Sequence, residues 1–270
     1  MCDAMISLRF VSVFHAHTKD HACRQQEIFT ALRKTWEHEA FAELHLMVKK
    51  KRSFLKALRT HGVALSPKVK RIVELHRMPL NRDFIEYASR ELRNRWVLAS
   101  NDDVYPEGLA WSNPPPSALL LSRHAKSNET TACGWCDATK AQLSQSLCNT
   151  HNFGSFDAWV AKFERFPLNS VGLQLSETPR HAFGADNLLG HVFETYFGKP
   201  LQNRCLSYRL YHIHCTFATS VSNPAIAKRG YGDGTFVHHG HMADLLRRYD
   251  KNLSETRANK IVRRRWAVMW

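Results

Sequence analysis

The sequence has no apolar run long enough to cross a bilayer. Its amino terminus also lacks the basic stretch, long apolar core and small-residue cleavage site that together mark an export signal. It contains no internal repeat, low-complexity tract, P-loop or helix-turn-helix pattern. These absences leave a soluble protein as the expectation, cytoplasmic or held peripherally at a membrane. A disulfide framework is lacking as well: seven cysteines are odd in number and scattered in spacing, which reads as free thiols in a reducing compartment. What the chain has in excess is positive charge, with 38 Lys and Arg against 24 Asp and Glu and a formal net charge of +14. Such a surface attracts polyanions, whether nucleotide phosphates, nucleic acid or anionic headgroups, and does not by itself choose among them.

A chain of 270 residues that is 44% hydrophobic and 23% charged has ample material for one large α/β domain or two small ones. Residues 5–15 are apolar and β-rich and predict a first strand. Residues 25–38 carry Ile28, Leu32 and Trp36 at helical spacing. A second strand is expected over 44–48, a helical segment over 54–58 after the basic Lys49-Lys50-Lys51-Arg52, a third strand over 69–75, and a helix over 83–93. Strands alternating with helices predict a mostly parallel, Rossmann-like sheet in the first 110 residues. Beyond Asn113-Pro114-Pro115-Pro116, short strands are expected over 118–122 and 206–217, a helix over 185–196, and a basic helical segment from 242 onward.

The centre of this pattern is Trp96-Val97-Leu98-Ala99-Ser100-Asn101-Asp102-Asp103-Val104-Tyr105-Pro106, an apolar strand that ends in two adjacent carboxylates. In open α/β sheets, ligands bind in the crevice beyond the carboxyl ends of the strands. Paired acids at such a strand tip suit a hard cation and a phosphorylated ligand. An Asx-type turn with solvated acids is the alternative. Farther on, His212 and His214 alternate with Tyr211 and Ile213, so a strand there turns both imidazoles to one face.

Several segments, taken in order, resemble the successive signatures of nucleotide-sugar glycosyltransferases of the GT-A fold: Arg24-Gln25-Gln26-Glu27-Ile28, Arg82-Asp83-Phe84, Asn101-Asp102-Asp103-Val104-Tyr105, Leu119-Leu120-Leu121-Ser122-Arg123, Gly154-Ser155-Phe156-Asp157-Ala158-Trp159, Gly184-Ala185-Asp186-Asn187 and His212-Ile213-His214. The resemblance spans roughly residues 6–216. It implies a single GT-A domain over 1–241, with a nucleotide-binding half (1–110) and an acceptor and metal half (111–241), followed by the basic segment 242–270. The family's acidic D-x-D motif holds Mn²⁺ or Mg²⁺ against the donor diphosphate. Here it reads N-D-D, so the resemblance makes Asp103 the metal ligand, Asp102 its donor-facing neighbour and Asn101 a departure from the pattern.

By the same resemblance Asp186 is the general base that takes the proton from the acceptor hydroxyl of an inverting enzyme, where otherwise it reads as a helix cap. Asp157 would bind the acceptor, or make a structural hydrogen bond. His214 or His212 would be a further metal ligand, and Lys228 and Arg229 would close over the donor diphosphate. His15, His17 and Arg24 are the polar residues available near the donor base. The implied donor is a UDP- or GDP-sugar, and the implied acceptor a glycan, glycoprotein or lipid-linked molecule.

Two further sequence features stand apart. Cys133-x-x-Cys136 and Cys148-x-x-His151, with eleven residues between the pairs, have the ligand spacing of a structural Zn²⁺ site. The closing run from Lys260 to Trp270 mixes cations with large apolar residues. It would either rest on an anionic membrane or pack back on the domain. Two rival functions remain at this point: a metal-dependent phosphoryl-transfer or binding protein directed at nucleic acid, which explains mainly the charge, and a degenerate domain that binds sugar nucleotides without catalysis.

Overall fold

The computed structural model describes residues 5–13, 19–121, 125–126, 156–165, 170–177 and 185–213, together with 254 and 256. The chain runs β1 (Met5–Val11), α1 (Lys19–Glu37), β2 (Phe41–Val48), α2 (Lys51–Thr60), β3 (Val69–Glu74), α3 (Asn81–Glu91), β4 (Trp96–Ser100) and β5 (Val104–Glu107). After a 3₁₀ turn at Leu109–Ser112 come β6 (Ala118–Leu121), β7 (Ala125–Lys126), β8 (Ala158–Lys162), α4 (Ser170–Leu175), α5 (Ala185–Thr195), β9 (Leu201–Gln202) and β10 (Arg209–His212). The expected α/β, Rossmann-like architecture is the one observed.

Seven strands form the main sheet in the order β3-β2-β1-β4-β8-β6-β9. β1, β2, β3 and β4 are mutually parallel, and β8 runs antiparallel between β4 and β6. The strands alternate their side chains between two cores, as the two-residue period of a sheet requires. Leu44, Leu46, Val48, Leu98, Leu119 and Val160 face one core, which α1 and α2 cover through Ile28, Phe29, Leu32, Phe54 and Leu58. Ile6, Leu8, Phe10, Val97, Ala99 and Trp159 face the other, covered by Phe84, Ile85 and Ala88 of α3 and by Leu189 and Phe193 of α5. Burial on both faces explains why β1 and β4 read as continuous apolar runs rather than alternating ones. Each large apolar side chain so buried contributes about 1.5–3 kcal/mol of transfer free energy.

A second sheet, β5-β10-β7, stands beyond the end of β4. The chain leaves β4 at Ser100 and enters β5 at Val104, so Asn101, Asp102 and Asp103 form the turn that joins the two sheets. β5 carries Pro106, which reads as a breaker. The proline is tolerated because, among the described residues, β5 lies at the edge of its sheet and pairs only with β10, with Pro106 opposite Leu210.

Cys23 and Cys205 are both disulfide-bonded, which corrects the expectation of free thiols at these two positions. Both are buried, Cys23 on α1 and Cys205 in the core beneath Tyr208 and Leu210. No helix among the described residues is long and apolar enough to cross a membrane.

Candidate functional site

The order of the parallel strands fixes where a ligand crevice lies. From β1 the chain steps outward to β2 and β3, then returns through α3 to place β4 on the other side of β1. The topological switch point therefore falls between β1 and β4, where successive connections leave on opposite faces and the strand ends splay apart. Ser12 and Val13 follow β1 on one side of this point. The acidic turn follows β4 on the other.

Asp102 is turned toward the tip of β1: its Oδ2 accepts the Ser12 amide at 3.1 Å, and the Gln25 side-chain amide donates to the Ser12 carbonyl at 3.2 Å. Asp103 has different partners. Its Oδ2 accepts Nη2 of Arg24 at 2.6 Å and lies 2.8 Å from Nε2 of His212. The Asp103 carbonyl accepts the Ile213 amide at 2.8 Å, which extends the β5-β10 ladder to the turn itself. Arg24 also donates through Nη1 to Glu27 Oε2 at 2.9 Å and to the Ile213 carbonyl at 3.0 Å. One helix, one turn and one strand thus converge on a single carboxylate oxygen.

The side chains of Arg24, Gln25, Glu27, Asp102, Asp103 and His212 are buried, from Glu27 at 0% exposure to His212 at 8%, and Ser12 is half-buried. Burial opposes the charge on Arg24, but Asp103, then Asp102 and Glu27, outweigh it and raise the guanidinium above its usual value. Beneath the turn lies a second buried cation, Arg9, at 0% exposure. It donates to Ser100 Oγ at 2.9 Å and to the Val104 carbonyl at 2.5 Å, spanning the turn from below.

Of the residues expected at the site, Arg24, Asp102, Asp103 and His212 are brought together. Asn101 looks elsewhere: its backbone amide donates to the Asp157 carbonyl at 2.9 Å and its side-chain amide to Asp157 Oδ1 at 3.1 Å. Asp157 is buried at 2% exposure, and its own amide is bonded to the Leu121 carbonyl. Of the two roles open to Asp157, these contacts form the structural one. Asp186 is the second residue of α5, inside the first turn rather than at the cap, where a carboxylate is favoured by the positive end of the helix.

Arg82 and Asp83 build the start of α3. Asp83 accepts the Leu80 amide at 2.7 Å and a bidentate pair from Arg77, while Arg82 bridges Glu86 and Glu177. His15, His17, Lys228, Arg229 and His214 lie outside the described residues, as do Cys133, Cys136, Cys148 and His151 of the zinc spacing and the segment from Lys260. Two contributors were not anticipated individually. Glu27 lies in the Arg24-to-Ile28 segment, and the resemblance gives it no role of its own. Arg9 was hidden in a strand read for its apolar residues, although a lone charge inside such a run was the available signal.

No group of three or more His, Cys, Asp or Glu side chains suited to a metal occurs among the described residues. Asp103 and His212 nevertheless supply one oxygen and one nitrogen donor 2.8 Å apart. The two atoms are hydrogen-bonded to each other and the same oxygen accepts Arg24 Nη2, so the pair could serve a cation only after the proton between them is lost, and its imidazole nitrogen suits Mg²⁺, which takes oxygen ligands, poorly.

No protein-family model matches the chain, and no curated protein resembles it significantly in sequence.

Proposed function

We propose that the protein is a glycosyltransferase of GT-A type that moves a sugar from a nucleoside-diphosphate sugar to an acceptor hydroxyl, with inversion at the transferred carbon. The observation that carries this reading is the convergence of Asp102, Asp103, Arg24 and His212 at the switch point of a Rossmann-like sheet. That crevice is where a nucleotide binds in open α/β sheets. The two carboxylates there divide the work: Asp102 stays with the β1 tip and the donor, whereas Asp103 meets Arg24 and His212.

Asp103 and His212 would hold Mn²⁺, and Mg²⁺ less well; the ion supplies positive charge to the leaving diphosphate. To ligate, His212 must present a Nε2 lone pair, so its proton sits on Nδ1 in that state. Arg24 then remains as the fixed counter-charge behind Asp103 and keeps the turn in place. Asp186 accepts the acceptor-hydroxyl proton as the hydroxyl oxygen bonds to the anomeric carbon and the bond to the diphosphate breaks. Lys228 and Arg229 would stand over the diphosphate, and Asp157, through the Asn101 bonds, sets the outer wall of the turn.

A catalytically degenerate sugar-nucleotide-binding domain is the second reading. It is favoured by the Asn101 side chain being committed to Asp157 and by Arg24 occupying Asp103 Oδ2. The disulfides at Cys23 and Cys205 favour an oxidising compartment over the cytoplasm. The test is a calorimetric screen of UDP- and GDP-sugars with and without Mn²⁺. Saturable binding strengthened by Mn²⁺ and lost in Asp103→Ala is the expected result. Absence of binding to every nucleotide sugar in both conditions removes the proposal, and binding without turnover by any acceptor favours the degenerate reading.

A further inference from the structure

The excess charge is concentrated in one place. Residues 49–77 hold ten Lys and Arg and a single carboxylate, Glu74, and so account for nine of the fourteen net positive charges of the chain. The structure folds this segment into α2 and the edge strand β3, which contact each other. Arg52, Lys56 and Arg59 fall at i, i+4 and i+7 and form one exposed stripe along α2, while Phe54 and Leu58 are buried in the core. The stripe runs about 10 Å, at 1.5 Å per residue. On β3, Lys70 is also exposed; Arg71 is exposed too, but the alternation along the strand turns it to the opposite side of the sheet, toward His45 and Tyr87. The His76 amide donates to the Lys49 carbonyl at 3.0 Å, which ties the end of β3 to the Lys49-to-Arg52 run. Lys49, Lys50, Lys51, Arg52 and Lys56 take part in no ion pair among the described residues, whereas Arg77 is neutralised by Asp83.

We infer that this face is a docking surface for an acidic polysaccharide, a chain bearing sulfate or carboxylate groups along its length. Charge complementarity is the first argument: a stripe of three cations along α2 without ion-pair partners among the described residues, with Lys70 on the neighbouring edge strand, matches a linear polyanion rather than a single small anion. The second argument is chemical exclusion. Single-stranded nucleic acid would be expected to stack on exposed aromatics, yet the exposed large apolar side chains among the described residues are Leu65, Met78, Leu109 and Leu206, none of them aromatic. An interfacial membrane helix would turn an apolar face outward, yet α2 spends its apolar residues in the core, and Leu65 and Met78 stand at opposite ends of β3. The third argument is compartment: disulfide-bonded Cys23 and Cys205 belong to an oxidising environment, in which acidic glycans are the prevalent polyanions. This surface is independent of the chemistry at the switch point.

The test uses heparin as the probe and holds net charge constant. The variant Arg52→Gln/Lys56→Gln/Arg59→Gln/Lys70→Gln is compared with Arg93→Gln/Arg165→Gln/Arg204→Gln/Arg209→Gln, which removes four exposed cations elsewhere, on heparin and on a plain sulfonate exchanger. Both variants should elute earlier than wild type from the exchanger by similar amounts. On heparin the first should lose most of its retention, with the salt dependence of its affinity shallower by about one unit of slope per removed cation, while the second should stay close to wild type. Equal losses on heparin overturn the inference in favour of a diffuse charge effect. Tighter binding of the wild type to single-stranded DNA or to phosphatidylserine vesicles than to heparin, at matched salt, overturns it in favour of another class of partner. Matching circular dichroism spectra and melting temperatures establish that both variants are folded.

Discussion

Arg24 on α1 and Asp103 at the end of β4 lie 79 residues apart in sequence, and their side chains meet at 2.6 Å with 5% and 10% of their surfaces exposed. The pair therefore joins the first helix to the central strand at the point where the two sheets part. Removing one member of a buried pair leaves the other charge without compensation, a loss of about 3–5 kcal/mol. Arg24→Met, which removes the guanidinium from both Asp103 and Glu27, is expected to fall in that range in urea denaturation. Asp103→Asn should cost less, because Arg24 keeps Glu27 and the Ile213 carbonyl. A loss below about 1 kcal/mol for Arg24→Met, the size of a surface ion pair, would show that the network is not set as described.

A second expectation concerns acid. His45 lies on β2, buried at 6% exposure, with its Nδ1 2.8 Å from the Tyr87 hydroxyl and its Nε2 3.4 Å from Glu43. Burial lowers its pKa below the usual 6.5, and Glu43 only partly offsets that. The sign follows from linkage: a histidine whose native pKa is depressed is held neutral in the fold, so the unfolded chain binds more protons and stability rises with pH. His45 therefore contributes stability that is fully present above about 6.5, the unfolded value, and is lost as pH falls below it. His38 and His61, also lowered chiefly by burial, act in the same direction. Urea midpoints should drop between pH 7.5 and pH 5.5, and His45→Gln should flatten that drop. An unchanged slope would remove His45 from the account.

Much of this arrangement was legible in the chain. β4 and its acidic turn and the strand-helix alternation before it follow from apolar periodicity and strand-end chemistry; the resemblance implied His214 or His212 as a metal ligand beside Asp103, and His212 meets Asp103 by a direct hydrogen bond while His214 lies outside the described residues. What was hidden is instructive. β5 escaped because Pro106 signals a break, and only its place at a sheet edge makes the residue acceptable. β9 and α4 are two and six residues long, too short for a periodic signal. α1 starts at Lys19, ahead of the apolar positions that reveal it, because its first turn is polar. The place of Arg9 could not be read from its strand alone, because acceptors that hold this buried cation, Ser100 and the Val104 carbonyl, lie 91 and 95 residues away.

The division of labour between Asp103 and Asp186 is open to a kinetic test. Asp103→Ala should weaken Mn²⁺-dependent donor binding in calorimetry, because it removes the oxygen donor that faces His212. Asp186→Asn should leave donor affinity within a factor of about two while lowering kcat by about 10²–10⁴, the span of general-base catalysis. The pH profile of kcat should also lose its acidic limb, which a purely structural role for the first turn of α5 would leave intact. Transfer at the wild-type rate by Asp186→Asn rules out the base assignment.

The cysteines give the last expectation, and the one that bears most directly on where the protein works. Because Cys23 and Cys205 are disulfide-bonded, no more than five of the seven thiols should react with a thiol reagent in denaturant, and all seven should react after reduction. Cys23 sits one residue before Arg24 on α1, so a cross-link there restrains the helix that supplies the guanidinium to Asp103. Its removal should therefore be felt at the site as well as in stability. Cys23→Ser is expected to cost about 2–4 kcal/mol, as loss of a native disulfide does, and to weaken donor binding in parallel. Cys205→Ser, seated under Tyr208 and Leu210 in the core, should cost a similar amount of stability with a smaller effect on binding. Seven reactive thiols in the unreduced protein would return the chain to a reducing compartment and, with it, the acidic polysaccharide to competition with cytosolic polyanions.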